Sequence, residues 1–303
     1  MGTDPTHTSP THTRRAEPGR AAPGRGRDGS RSSLVWDVLA DVIAERVAES
    51  GRAALDVVDV GAGTGGLAVS IAGRGHRVTV VDPSPDALAA ARWRAAEAGV
   101  TLTEVQGEAS DLPTLIGEPG SDRGGVDVAG ADLVICHNVL GYVDSPEVAL
   151  AAIARVLRPG GTVSVLAANA VAAVLQRALA GRYAEALAML PDSTAASAGR
   201  PAMVPPTTVP PTTVPPTMVP PTTGQTSATR RFTLPELTAL IEGAGLRVGD
   251  AYGIRIFSGL LPGAVADLAA AEALRNLEDA AATSPPLRDI AARLHVLARA
   301  DRT

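Results

Sequence analysis

Between Leu55 and Gly66 the chain reads Leu-Asp-Val-Val-Asp-Val-Gly-Ala-Gly-Thr-Gly-Gly, an apolar β-branched run that breaks into glycines. Gly61, Gly63 and Gly65 let the backbone turn tightly and come close to a ligand. If Leu67–Ala72 then opens a helix, its free N–H groups face an anionic or strongly polar moiety. Asp59 is the last but one residue of the run, and Ala62 lies inside the turn. A second apolar run, Arg77–Asp82, ends in a carboxylate. At a strand end beside a glycine loop, Asp82 can accept hydrogen bonds from both ribose hydroxyls of a nucleoside ligand. Its plainer alternative is a helix cap. Gly61, Gly63 and Gly66 also satisfy the dinucleotide pattern G-x-G-x-x-G, so these residues alone fit NAD as well.

Such a site needs strands that end at one edge and helices that start there. The runs 55–60, 77–82, 102–107, 131–140 and 162–169 read as strands. They are continuous rather than alternating, as expected of strands buried on both faces. Ser84-Pro85-Asp86 and Ser145-Pro146-Glu147 open helices: a capping hydroxyl, a proline at the first helical position and an acidic first turn. Strands alternating with helices at this spacing predict an α/β fold, a doubly wound, mostly parallel Rossmann-like sheet of seven strands with helices on both faces. Leu34–Ile43 carries helical periodicity, and a long helix is expected over roughly 170–190. Further on, a helix capped by Thr233 is expected, then a strand over 247–257 with a bulge at Gly253, and a helix around 263–282. The final run, 293–300, fits a strand or a helix.

Two stretches decide between cofactors. Gly107-Glu108-Ala109-Ser110-Asp111-Leu112-Pro113 follows the third strand, and Leu157-Arg158-Pro159-Gly160-Gly161 leads into the fifth. In this order, after the glycine loop and Asp82, they resemble class I S-adenosylmethionine-dependent methyltransferases. From about Gly29 to Ala300 the chain is similar to the bacterial tRNA 5-carboxymethoxyuridine methyltransferase family. The shared features are Arg31 five residues before Trp36, Ala72-Gly73-Arg74-Gly75-His76, Cys136-His137-Asn138-Val139-Leu140 and Ala168-Asn169-Ala170. Gly253-Ile254-Arg255-Ile256-Phe257 and Arg293-Leu294-His295-Val296 complete the set.

The resemblance implies S-adenosylmethionine as cofactor, held by Arg31, Gly61, Ala62, Asp82, Ala109, Ser110 and His137. Arg31 would fork onto the methionine carboxylate, with a surface charge as its plainer reading. Ala109 and Ser110 would lie by the adenine. His137, at the end of the fourth strand, faces the crevice of an open α/β sheet or is a satisfied core histidine. The implied reaction is in-line displacement at a sulfonium methyl. Its acceptor would be a carboxylate on a tRNA wobble uridine, which needs no general base; for a hydroxyl or amine, His137 would be the first candidate base. Tyr142, Asn169 and Arg255 are read as acceptor-side residues, and Cys136 as inert core. No catalytic residue is assigned, and no metal is expected.

The chain departs from the family in two places. A neutral Val-Pro-Pro-Thr-Thr-type repeat (204–223) stands where relatives can carry a Lys-rich run, and Ser258-Gly259 follows Phe257. With no Lys among its 27 basic residues and a formal net charge of −5, the chain lacks the overall basic character that favours nucleic acid. The acceptor is therefore read as tRNA or, alternatively, a small metabolite. From another class, a NAD-binding Rossmann oxidoreductase remains, as does a catalytically silent relative.

Composition bounds the rest. Of 303 residues 45% are hydrophobic and only 2% aromatic, so the core must come from Val, Leu, Ile and Ala. A single cysteine allows no internal disulfide, in keeping with a cytoplasmic protein. No run of roughly 18 apolar residues suggests a membrane span. Residues 1–28, dense in Pro, Gly and Arg, are expected to be a disordered tail. The methyltransferase domain is expected over 29–303, with a Pro/Thr-rich low-complexity insertion at about 192–229.

Overall fold

The computed structural model describes residues 33–120, 130–190, 229–260 and 268–301. The expected tail, Arg31 and the insertion through residue 228 lie outside them.

The chain runs α1 (Ser33–Ser50), β1 (Asp56–Val60), α2 (Gly66–Ala72), β2 (Arg77–Asp82), α3 (Pro85–Glu97) and β3 (Thr103–Gln106). A 3-10 turn (Ala109–Asp111) and α4 (Leu112–Leu115) follow, then β4 (Ala131–His137), α5 (Pro146–Val156) and β5 (Leu157–Ala168). The last elements are α6 (Ala170–Leu179), α7 (Tyr183–Ala188), α8 (Leu234–Gly243), β6 (Arg247–Ile254), α9 (Leu268–Ala281) and β7 (Arg293–Arg299). The sheet has seven strands in the order β3-β2-β1-β4-β5-β7-β6. β1 to β5 are mutually parallel, and β7 inserts antiparallel between β5 and β6.

Why these residues form these elements is largely local. Ser84 accepts a hydrogen bond from Ala87 N at 3.3 Å, and Ser145 one from Val148 N at 3.3 Å, each with Pro at the first turn. Thr233 and Glu236 close a reciprocal capping box on α8, which satisfies two donors that a bare helix start leaves open. Every residue of β1 is buried, as are Ala131–Cys136 of β4. Alternate strand residues feed two cores. Val58, Val60, Val134, Cys136 and Val163 pack with Leu150 and Ile153 of α5 and Leu237 and Ile241 of α8. Val57, Val80, Leu133 and Ile135 pack with Leu39 and Ile43 of α1, Ile71 of α2 and Leu88 of α3. Each such side chain contributes roughly 1.5–3 kcal/mol by leaving water.

The final run is the candidate strand, not the helix its period also allowed. Three expectations change. Strand five starts at Leu157, five residues before the expected start: Ala131 pairs Leu157 and Leu133 pairs Thr162, so residues 158–161 bulge opposite Asp132. The long helix over 170–190 breaks after Leu179, where Gly181 turns with φ 74°. The bulge in β6 lies between Val248 and Ala251, not at Gly253. Gly253 answers a different demand, close approach: a Cβ there would sit 2.8 Å from Arg288 Cα and 2.9 Å from Ala291 Cβ.

Candidate functional site

The strand order runs outward from β1 to β3, then returns to β4 on the other side of β1. This reversal opens a crevice at the carboxyl ends of the strands, where open α/β sheets bind ligands. The loop after β1 and the loop after β4 form its two sides, and they touch. A Cβ on Gly61, which has φ 64°, would fall 2.5 Å from Val139 Cγ2.

The glycines divide by role. Gly65 has φ 70° and is buried against α3, where a Cβ would meet Ala91 Cβ at 2.7 Å and Ala91 Cα at 3.0 Å. It is there for helix packing. Gly63 has φ 53°, and its missing Cβ would meet nothing within 4 Å. Its bare face is what a close-lying ligand needs. The turn itself is closed by Gly65 N donating to Ala62 O at 2.9 Å, and Gly61 N ties it to Val81 O at 2.7 Å.

Asp82 organises the cradle. Its Oδ2 accepts from Gly63 N at 3.1 Å, and its Oδ1 accepts from Ser84 N at 2.9 Å. It is only 8% exposed. One carboxylate thus joins the glycine loop to the start of α3: it supports the helix entry, whose cap is Ser84, and it stands at the crevice. Asp59, buried one residue from the end of β1, lies beside Cys136. Burial, and after it the charge of Asp59, pushes the Cys136 thiol up to about 12. The thiol is therefore no nucleophile at neutral pH.

Ala109 is buried at the head of the 3-10 turn, and Ser110 beside it is exposed. Both follow β3, whose end pairs with that of β2: Gly107 N donates to Asp82 O at 3.3 Å. His137 ends β4, half-buried, with Nε2 2.8 Å from Ser164 Oγ. The expected cofactor residues Asp59, Gly61, Ala62, Gly63, Gly65, Asp82, Ala109, Ser110 and His137 thus lie along the carboxyl edge of neighbouring strands β3, β2, β1 and β4. Arg31 lies outside the described residues.

The acceptor-side residues fare differently. Asn169 is structural: it is 1% exposed, caps α6 by accepting from Val171 N, and donates from Nδ2 to Asp289 O and Ala291 O, both at 2.8 Å. Tyr142 is 75% exposed. Arg255 is exposed with φ 60°, in a loop clamped by Glu278, whose carboxylate accepts from Ile256 N, Phe257 N and Ser258 N. Nothing in the sequence marked Glu278. Asn138 also has φ 60°, directly after β4, and Arg293 donates to its side chain. A strained polar residue at a crevice is a signal visible only in backbone geometry.

Two shared motifs have structural roles. Arg74 stacks over the Trp36 ring at 4.5 Å, tying α1 to the loop after α2. Arg158 lies at the opposite end of the sheet from the crevice. There Arg52, Arg77 and Arg158 bind Asp56, and Arg52 and Arg158 also bind Asp132, at 2.6–2.9 Å. Desolvation alone would raise the Asp56 carboxyl, but hydrogen bonds from Arg77, Arg52 and Arg158 outweigh it and hold the group below its ordinary range. Among the described residues no group of three or more His, Cys, Asp or Glu is placed to hold a metal ion. No helix among them is long and apolar enough to cross a membrane.

Residues 58–163 match a family described as a methyltransferase domain. The chain is 30% identical over 155 residues to the tRNA 5-carboxymethoxyuridine methyltransferase of Escherichia coli, covering 50% of this chain and 54% of that protein. It is 33% identical over 158 residues to the ubiquinone biosynthesis O-methyltransferase of Xanthomonas campestris, covering 52% of this chain and 59% of the relative. The chain thus spans about half the length of the curated relatives it matches. The solved structure of an S-adenosylmethionine-dependent methyltransferase from Mesorhizobium loti aligns over 90% of this chain and 100% of its own, with a TM-score of 0.51 and 17% identity. The fold is that of class I methyltransferases, and the matched segment carries the glycine loop, Asp82 and His137. The cofactor of that class is S-adenosylmethionine.

Proposed function

We propose that the chain is an S-adenosylmethionine-dependent methyltransferase. What carries this reading is the Asp82 carboxylate joined to Gly63 N and Ser84 N beside a glycine whose missing Cβ leaves open space. That cradle fits a nucleoside: Asp82 keeps lone pairs for ribose hydroxyls, Gly61, Ala62 and Gly63 allow close approach, and Ala109 and Ser110 border the adenine. Asp59 lies one residue before the end of β1, Gly65 packs the end of the loop on α3, and Arg31 would receive the methionine carboxylate. When bound, S-adenosylmethionine supplies an electrophilic methyl group for in-line displacement. The protein's own contribution is then to orient the acceptor and exclude water, which can lower the barrier by about 7–11 kcal/mol.

For the acceptor, similarity to the Escherichia coli enzyme supports a carboxylate on a tRNA wobble uridine, a group already nucleophilic near neutral pH. A second reading, a small metabolite, is favoured by the net charge of −5 and by the similarity to an O-methyltransferase of ubiquinone biosynthesis. Calorimetric titration with S-adenosylmethionine, S-adenosylhomocysteine and NAD tests the first claim. Binding of the first two without NAD is expected, and binding of NAD alone overturns it. Radiolabelled methyl transfer to bulk tRNA, against small carboxylic acids and phenols, then separates the two acceptors.

A further inference from the structure

A file of polar side chains crosses one face of the sheet: His137 at the end of β4, Ser164 in β5 and His295 in β7. Ser164 lies opposite Ile135 on one side and Leu297 on the other, one step down from both histidines. Its Oγ is 2.8 Å from His137 Nε2 and 2.7 Å from His295 Nε2. Ser164 and His295 are both fully buried.

A hydroxyl has one proton to give. Its oxygen also has two lone pairs, but among the described residues the buried Ser164 Oγ has these two imidazole nitrogens as its only partners. Its proton therefore goes to one histidine and it accepts from the other: one of the two Nε2 atoms carries hydrogen and the other does not. His295 is neutral, because burial pulls it down to about 4. Its Nδ1 is buried without a hydrogen-bond partner, and the Tyr252 ring packs against the imidazole at 5.9 Å. Two proton patterns remain. If Ser164 donates to His295, the His295 proton sits on Nδ1 and an N–H is orphaned in the core. If His295 donates Nε2–H to Ser164, the orphan is only a bare lone pair, and Ser164 donates onward to His137 Nε2. Among backbone groups a buried orphaned N–H is rarer than an under-satisfied acceptor, and an imidazole N–H left without a partner in the core carries the same kind of desolvation cost.

We propose that Ser164 and His295 are positioning residues that hold His137 as its Nδ1–H tautomer, with Nε2 locked as an acceptor within the sheet. His137 then meets the crevice with no nitrogen available as a base. The site then serves an acceptor that needs no proton removed by it. This consequence rests on the crevice being the methyl-transfer site. The tautomer itself does not.

The test is two-bond nitrogen–proton NMR on the full chain labelled at histidine nitrogens, without cofactor, with His137→Gln used to assign the signals. The wild type is expected to show the Nδ1–H pattern at His137 near neutral pH. Ser164→Ala should move it to the Nε2–H form that an unrestrained imidazole favours, exchanging the positions of the two nitrogen resonances. Ser164→Thr, which keeps the hydroxyl, should retain the wild-type pattern. An Nε2–H pattern at His137 in the wild type overturns the proposal, whether or not the variants fold. Because no ligand enters the experiment, failure of the tautomer assignment and failure of cofactor binding are read separately.

Discussion

Replacing Asp82 with Asn keeps the shape of the side chain and removes the charge. A carboxylate offers about four lone-pair sites on its two oxygens. Gly63 N occupies one on Oδ2 and Ser84 N one on Oδ1, which leaves one on each for the ribose hydroxyls. An amide offers a single oxygen. Its NH2 must face one of the two backbone N–H groups, donor against donor, so either the glycine loop or the entry to α3 loses its anchor. A hydrogen bond to a charged group contributes roughly 1.5–3 kcal/mol, and about 1.4 kcal/mol is a factor of ten in affinity. Asp82→Asn should therefore weaken S-adenosylmethionine binding roughly ten- to one-hundred-fold. S-adenosylhomocysteine has the same ribose and should weaken by the same factor. Calorimetry on both ligands measures this, with urea unfolding alongside to separate loss of affinity from loss of fold. Wild-type affinity in a fully folded Asn variant would falsify the assignment of Asp82 to the ribose.

The two loop glycines should part company. Gly65→Ala forces a Cβ to within 2.7 Å of Ala91 Cβ and should lower stability, read as a fall in the urea midpoint. Gly63→Ala meets no neighbour and should cost only about 1–2 kcal/mol of left-handed strain, while its methyl enters the cradle and reduces cofactor affinity; equal stability losses for both would sink this distinction. Arg158→Met removes a cation from two buried carboxylates, but Arg52 still binds both and Arg77 binds Asp56. A loss of about 2 kcal/mol is expected, short of the roughly 3–5 of a buried charge left without a partner, with no change in cofactor affinity because the cluster lies at the far end of the sheet. His295 sets a pH dependence. Its folded pKa is about 4 against an ordinary 6.5, so the unfolded chain alone binds a proton between these values. Stability is then full above about 6.5 and falls by about 3 kcal/mol as pH drops toward 4. His295→Phe should flatten that slope in urea midpoints, whereas an unchanged slope would move its origin elsewhere. Asp56, held below the carboxylate range, loses its contribution only in more acidic solution, as pH falls through its folded value.

What the sequence disclosed and what it withheld divide along sequence distance. β1, β2, β4 and β5 were legible because burial on both faces leaves continuous apolar runs, whereas β3, at the edge, is half-exposed; the starts of α3, α5 and α8 were legible because capping is settled within four residues. The cradle was legible for the same reason: the loop that needs Gly63 follows directly from β1, and Asp82 ends the next strand. The edge formed by β6 and β7 was legible as a strand and a strand-or-helix run, but not in its pairing. The register shift between Val248 and Ala251 is a property of the pairing with β7, and a strand buried on both faces has no period to set it apart from a buried helix. Glu278 reaches back some twenty residues to three backbone donors, a contact with no local mark. Asp56, Asp132, Ser164 and His295 fall between these cases. Each is a polar residue set in an apolar strand, which the sequence displays plainly, and burial demands a partner for each. Which partner depends on the order of strands. Only with β7 inserted beside β5 does Ser164 stand between two histidines, and only with β4 beside β1 do Asp56 and Asp132 share Arg52 and Arg158. A polar residue in a buried strand therefore announces a network before its members can be named. In this fold one network braces the amino end of the sheet, and the other reaches His137 at the crevice.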